Sequence, residues 1–499
     1  MSSLNKDILF LIFEELQDDS KSLFSCLMVN RLWCETVVPI LWRNPWCYKN
    51  INYANKPYLF FIIACYLLDD IKEFITEGIK LPSGSNQSLL FDYFSFCRSI
   101  NVNTINNIIS IGSTFAYNQF FMQQEFYSLF MRKCPELKYF DMKSIKHQIF
   151  YFPEAIVRLE SLCELKCNTS IDTSYFYGLS QYCQYIQRLI IINMDTKSNH
   201  GIVKLIEVQK NLKHFEWQDN FYEELFMNDD CYENVLLALE KKAESLNCLR
   251  IYFEYIENYD HTLLQKILPK FYKLKILIIE SFFYFYEEQL EKLKIQVYHE
   301  LEILNIGCNR LNLISSIIKN SGGCLKKLLF RPYNVIGSEY DSFNENSLKF
   351  IREIYENCPS IEYLTIAFSP SEGHFAEFEK LLKICQNLKL LLLIVYNNMD
   401  EIETEEMLKN GEILLKILIR SAPANLKEIR FGDDDLQFSL ENLEEFLEKW
   451  RGRHALTIFT VGSIYMGENY TKLIDKYKSD GVIKDFKYFR YMDSLSYYF

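Results

Sequence analysis

Fifteen cysteines, seven histidines and 66 aspartates and glutamates are the side chains of this 499-residue sequence that could ligate a metal, attack a carbonyl or move a proton. Each of those chemistries needs a spacing. Structural zinc needs two ligand pairs; Cys163 and Cys167 stand close together, but no second pair accompanies them. His147, His200, His214, His261, His299, His374 and His454 do not cluster with cysteine or aspartate at ligand spacing. HExxH, GxSxG, a glycine-rich phosphate loop and a kinase signature are all absent from the sequence. Carboxylates this numerous fall into pairs by chance. The sequence therefore nominates no catalytic residue, no metal ligand and no cofactor-binding residue, and the expectation is a non-enzyme that works without a cofactor.

What remains is recognition. The formal charge of −12 argues against a nucleic-acid partner, which normally needs a basic footprint. Hydrophobic residues make up 49% of the chain, enough for a substantial core. No basic lead-in followed by a small-residue cleavage site opens the sequence, because Asp7, Glu14 and Glu15 interrupt its apolar start. The longest membrane-like run, Tyr58–Leu68, has 11 residues, too few for a bilayer span. The expectation is a soluble protein with no membrane partner, cytoplasmic and/or nuclear, whose cysteines are small buried hydrophobes in a reducing compartment.

The elements that would carry recognition begin with a repeated strand. In His299–Leu311, HELEILNIGCNRL, the apolar residues Leu301, Leu304, Ile306 and Leu311 precede and line a strand, and Asn309 sits where a buried amide could bond open backbone groups at a bend. The same start, an apolar residue followed by another three later, recurs at Leu137/Phe140, Leu162/Leu165, Ile186/Leu189, Leu212/Phe215, Leu246/Leu249 and Leu274/Leu277. It continues at Leu325/Leu328, Ile361/Leu364, Leu388/Leu391, Leu426/Ile429 and, more weakly, Leu456/Phe459. Successive copies lie 24 to 38 residues apart. Cys134, Cys183, Cys308, Cys324, Cys358 and Cys385 recur at related places. The unit LxxLxIxxCNxL resembles a leucine-rich repeat of the cysteine-containing type. Helical stretches fall between the strands at Glu233–Ser245, Thr262–Leu268, Leu313–Lys319, Leu348–Glu356, Phe375–Cys385 and Glu412–Ser421.

Ahead of the repeats, residues 2–46 read as three short helices. Leu4, Ile8, Leu11, Ile12 and Leu16 fall at helical spacing, with Asp7 in the first turn where the helix dipole favours it. Leu23, Leu27 and Met28 mark the second helix, and Val29, Leu32, Trp33, Val37 and Val38 the third, before Pro39 leads into Leu41 and Trp42. So small a core gains from a partner. The segment resembles an F-box, whose pattern LPxDILxxIFxxL, then LxxCxxVxRxW, then LW is matched by Leu4–Leu16, Leu23–Trp33 and Leu41-Trp42. Asn5 stands where the family usually has a proline that would preset the first helical turn.

The resemblance implies a fold and a partner. The fold class is α/β: a small N-terminal three-helix F-box followed by a curved leucine-rich-repeat solenoid with parallel strands on its concave face. The chain would be the substrate-recognition subunit of a Skp1–cullin–F-box ubiquitin ligase, reaching the cullin–RING ligase through Skp1 and binding a protein substrate on the repeats. Leu4, Asp7, Ile8, Ile12, Leu16, Leu27 and Val29 would contact or support Skp1, while Trp33, Leu41 and Trp42 hold the small core. RING-like cysteine spacing is absent, so ubiquitin chemistry would belong to other subunits. The other reading is a leucine-rich-repeat scaffold without a ligase role, its N-terminal helices a degenerate F-box.

Four segments follow: residues 1–46 as the F-box, 47–133 as a helical connector or degenerate first repeat, 134–462 as the repeats, and 463–499 as a C-terminal cap. Within the connector, Gln119–Lys133 reads as a helix with Phe120, Phe126, Leu129 and Phe130 on one broad face. Longer intervals at Asn220–Asn234, Arg331–Asn346 and Asn397–Glu412 read as loops bordering a binding face; their acidic character, with Asp433 to Asp435, suits a basic partner. Glu302, Lys326, Glu362 and Lys389 are the candidate concave-face residues.

Overall fold

A computed structural model describes residues 5–17, 19–48, 57–67, 89–195, 197–221, 230–254, 261–280, 298–309, 311–332, 340–396, 404–432, 436–461 and 463–488. The chain divides into two compact units, Met1–Ser245 and Leu246–Phe499.

Alternating short strands and helices dictate the architecture, because a parallel pair needs a crossover that returns the chain to its starting end. In the first unit, β1 (Ser99–Asn101), β2 (Tyr139–Asp141), β3 (Glu164–Asn168), β4 (Arg188–Asn193) and β5 (His214–Asp219) form a parallel ladder in chain order. In the second, the ladder runs through β6 (Cys248–Tyr252), β7 (Ile276–Glu280), β8 (Ile303–Asn309), β9 (Lys327–Pro332), β10 (Tyr363–Phe368) and β11 (Leu390–Val395). It ends with β12 (Glu428–Phe431), β13 (Leu456–Thr460) and β14 (Ile483–Tyr488).

The register sets the repeat. Ile100, Phe140, Leu165, Leu189 and Phe215 are successive partners in the first unit. Leu249, Leu277, Leu304, Leu328, Leu364, Leu391, Ile429 and Ile458 are successive partners in the second. Every one of them is buried, as is the residue three earlier from Cys97 through Leu426. The last copy, expected at Leu456/Phe459, is one residue out. Ile458 occupies the inward row, and Phe459 turns to the other face, where the Arg430 guanidinium lies 4.9 Å from its ring. A period of two makes any one-residue slip invert the face.

A shared backbone rung precedes the strands. The Lys138 carbonyl accepts from the N–H groups of both Cys163 and Glu164, and the Cys163 carbonyl from Gln187 and Arg188. In the second unit the carbonyls of Lys275, Glu302, Lys326, Glu362 and Lys389 each accept two N–H groups from the following repeat. Glu302, Lys326, Glu362 and Lys389 are therefore rung residues, each one position ahead of a strand. Their side chains pair with one another, Lys326 with Glu302 at 2.7 Å and Lys389 with Glu362 at 2.6 Å. The strands themselves begin one residue later, at Ile303, Lys327, Tyr363 and Leu390.

Helices occupy the expected intervals: Leu311–Lys319, Tyr340–Asn357, Glu372–Ile384 and Thr404–Ser421 begin earlier than expected, whereas Glu233–Glu240 and Thr262–Ile267 stop short of the expected ends. The connector supplies β1, a strand the repeat pattern did not mark, and the helices Val102–Gly112 and Ala116–Lys133. In the latter, Phe126, Leu129 and Phe130 are buried, while Phe120 is half exposed and packs on His147 with ring centroids 4.1 Å apart. The tail supplies the helix Glu468–Ser479 and β14. Asp433 to Asp435, much of the three long intervals and the Asn309 side chain lie outside the described residues.

Asn193 shows what such an asparagine does. Fully buried at the end of β4, its amide donates to Asp219 at 2.9 Å and accepts from Thr169 at 3.1 Å. Asp219 also accepts from the Trp217 indole at 2.8 Å and the Tyr232 hydroxyl at 2.6 Å. A buried polar group needs such partners, and here they tie three repeats together.

Candidate partner-binding surface

The N-terminal residues form helices α1 (Lys6–Glu15), α2 (Ser20–Cys26) and α3 (Arg31–Arg43). Two starts are capped by side chains: Asp19 accepts from the Ser22 N–H at 3.2 Å, and Asn30 from the Trp33 N–H at 3.0 Å. The Ser22 bonds hold the Asp19 carboxyl below its usual range. Asn5 occupies the N-cap of α1 but makes no side-chain cap bond. Pro39 lies inside α3, which continues through it to Arg43.

Helix α1 has two apolar faces. Leu9 and Phe13, four apart, point inward and join Leu23, Val37, Ile40 and Leu41 in one core. Ile8, Leu11 and Ile12 point outward and are 48%, 64% and 43% exposed. Asp7 is exposed beside them. The turn between α2 and α3 adds Met28 and Val29, 88% and 54% exposed, and α2 adds Phe24. Burying one such aliphatic side chain on a partner contributes ~1.5–3 kcal/mol. Such a surface can exclude water against a matching partner.

The nominated residues thus take different places. Asp7, Ile8, Ile12 and Val29 are on the surface, whereas Leu16 and Leu27 turn partly inward and pack on the core. Leu4 lies outside the described residues. Trp33 meets Phe13 edge-on at 5.2 Å and Leu41 is buried. Trp42 packs on Tyr93 with ring centroids 4.5 Å apart. Leu11, Phe24 and Met28 were not nominated; the signal available for Leu11 was the second apolar stripe of α1.

Sequence reasoning also passed over the end of α3. Arg43 reaches back to Glu14 of α1 at 2.6 Å. Its carbonyl accepts from the Arg98 N–H at 2.9 Å and the Ser99 hydroxyl at 3.3 Å. Trp46, buried, donates its indole N–H to the Ser99 carbonyl at 3.0 Å and meets Phe130 edge-on at 5.9 Å. These bonds cover the open edge of β1 and fix the three helices to the first repeats.

Elsewhere, several thiols are buried. Cys134, Cys183, Cys358 and Cys385 are buried, whereas Cys324 is exposed. Burial pushes the Cys183 thiol far up and that of Cys385 up to about 12, so neither is a thiolate at neutral pH. Among the described residues, no helix is long and apolar enough to cross a membrane.

No family model and no curated protein matches this sequence. Among solved structures, the chain is similar to one in the crystal structure of the Rad7 and Elc1 complex in yeast, with a TM-score of 0.36 and 12% identity over 88% of this chain and 95% of that one. A superposition this loose bears on neither partner nor activity.

Proposed function

We propose that the three N-terminal helices bind a Skp1-type adaptor and that the repeats bind a protein substrate, making the chain a non-catalytic recognition subunit of a ubiquitin ligase. The observation that carries the reading is the outward stripe Ile8, Leu11 and Ile12 on a helix whose core is already filled by Leu9 and Phe13. Folding does not need these side chains inside; association does. The F-box resemblance of residues 4–42 supplies the identity of the partner. The chain would contribute proximity, holding a substrate near ubiquitin chemistry carried by other subunits.

The test is co-purification of the full chain with the host's Skp1, beside Ile8→Asp and Ile12→Asp. Both side chains are half exposed, so the variants should melt within a few degrees of wild type and lose the adaptor. A well-folded wild-type chain that fails to bind would sink the adaptor reading and leave a repeat scaffold with a degenerate F-box.

A further inference from the structure

In the second unit, a cleft of about 660 Å3 opens between the N-terminal turns of the helices Glu372–Ile384 and Thr404–Ser421. It lies just past the carboxyl ends of β10 and β11. Glu372, Glu405, Glu406 and Lys409 line it, with Phe375 on one wall and Asn410 among the lining residues. Three carboxylates against one ammonium leave it negative. Neighbouring charges on the same two helices are matched: Arg352 pairs with Glu377, Lys383 and Arg420 with Glu379, and Lys416 with Glu412. Among the described residues, Glu372, Glu405, Glu406 and Lys409 have no ion-pair partner.

Acidic residues in the first turn of a helix complement its dipole and require no ligand. Asn410 is different. It sits in the second turn, only 6% exposed, and its amide nitrogen has no hydrogen-bond partner among the described residues. Asparagine is a poor choice for a helix interior, and a buried amide without a partner is costlier still. Helix packing does not ask for it: the next residue, Gly411, already provides the close approach, since a Cβ there would run into the Gln437 carbonyl.

We propose that this cleft binds a basic peptide segment of a protein partner. On binding, the Asn410 amide pairs with a main-chain peptide group, which offers both the acceptor and the donor an amide needs. An arginine or lysine of the segment enters among Glu372, Glu405 and Glu406, and its aliphatic stem lies along Phe375. This adds to the reading of the repeats as a protein-binding region the class of segment bound, and it does not require the adaptor.

The probe is a fluorescein-labelled octapeptide of alternating arginine and alanine, titrated with the full-length chain and followed by anisotropy; its glutamate counterpart is the control. The arginine peptide should bind in a salt-sensitive way and the glutamate peptide should not. Glu405→Gln/Glu406→Gln should weaken binding about tenfold, as should Asn410→Leu, since either removes ~1.4 kcal/mol or more of interaction. Asn410→Leu keeps the net charge and relieves a buried amide, so its melting temperature should hold or rise. Glu444→Gln/Glu468→Gln removes the same charge from other helices and should leave binding unchanged. Failure of the arginine peptide to saturate, equal weakening by the control double variant, or full binding by Asn410→Leu would each overturn the proposal. The chain is assayed alone, so a failure here leaves adaptor binding untouched, and the reverse.

Discussion

His261 carries two unusual features at once. Its backbone is left-handed, with φ at 47°, and its ring is buried and stacked on Phe253 with centroids 4.1 Å apart. Burial pushes its pKa down to about 3. Burial likewise lowers His147 and His374. A depressed folded-state value means the unfolded chain takes up the proton first. The stability contribution is whole above the unfolded value of about 6.5 and is lost as pH falls from there toward the folded value. At about pH 5 the loss from His261 alone is ~2 kcal/mol. His261→Asn tolerates the left-handed backbone and cannot take up a proton. Its melting temperature should fall less steeply than that of wild type between neutral and mildly acid pH; parallel pH profiles would contradict this account. The sequence marked His261 only as a histidine without ligands nearby. Nothing local announces a stacked, left-handed residue, because the feature depends on Phe253, eight positions earlier.

Between elements, a close backbone approach joins the helices Thr173–Tyr182 and His200–Val208. At Gly201 a Cβ would collide with the Thr173 carbonyl oxygen and come within 2.8 Å of the Phe176 Cβ. Backbone cannot give way as a flexible side chain can. Gly201→Ala should therefore destabilise by ~1–3 kcal/mol, read as a lower urea midpoint with an unchanged slope. Asn193→Leu tests the polar tie between repeats. It removes one partner each from Thr169 and Asp219 and should cost ~1–3 kcal/mol in the same assay. The strand positions were legible because paired apolar residues three apart recur and the helix between strands is amphipathic. The end repeats were harder to read. β1 follows Cys97 and Ile100, spaced like the others but without the flanking leucines. In β13 the strand is where the pattern puts it, but its inward residue is one off, because Leu456, Ile458 and Phe459 are all apolar and only the neighbouring strand decides which of them joins the row.

Across the first unit, the three helices serve two surfaces, and the sequence disclosed only one of them. Ile8 and Ile12 could be found from helical spacing and family pattern. Arg43 and Trp46 could not, since their partners Arg98 and Ser99 lie more than fifty residues on, and no local pattern predicts a sheet edge there. Trp46→Ala should cost ~3–5 kcal/mol, the usual loss for a buried aromatic. It should also raise amide exchange at residues 99–101 before the rest of the unit loosens. Uniform exchange throughout the unit would show that the edge is not held by this contact. The cover has a second effect, because an open strand edge is a template for another chain.

The double-accepting carbonyl ahead of the strands has a consequence for inheritance. From β1 to β5 and from β6 to β12, each repeat offers the next the same pair of bonds at the same offset, whatever the length of the segment between them. A duplicated copy could thus join its neighbours without altering either, and a deleted one would leave two ends that still match. Long and short intervals can alternate along one chain for this reason: lineage can lengthen a loop or multiply a unit, provided that one backbone oxygen and the buried residues around it keep their places.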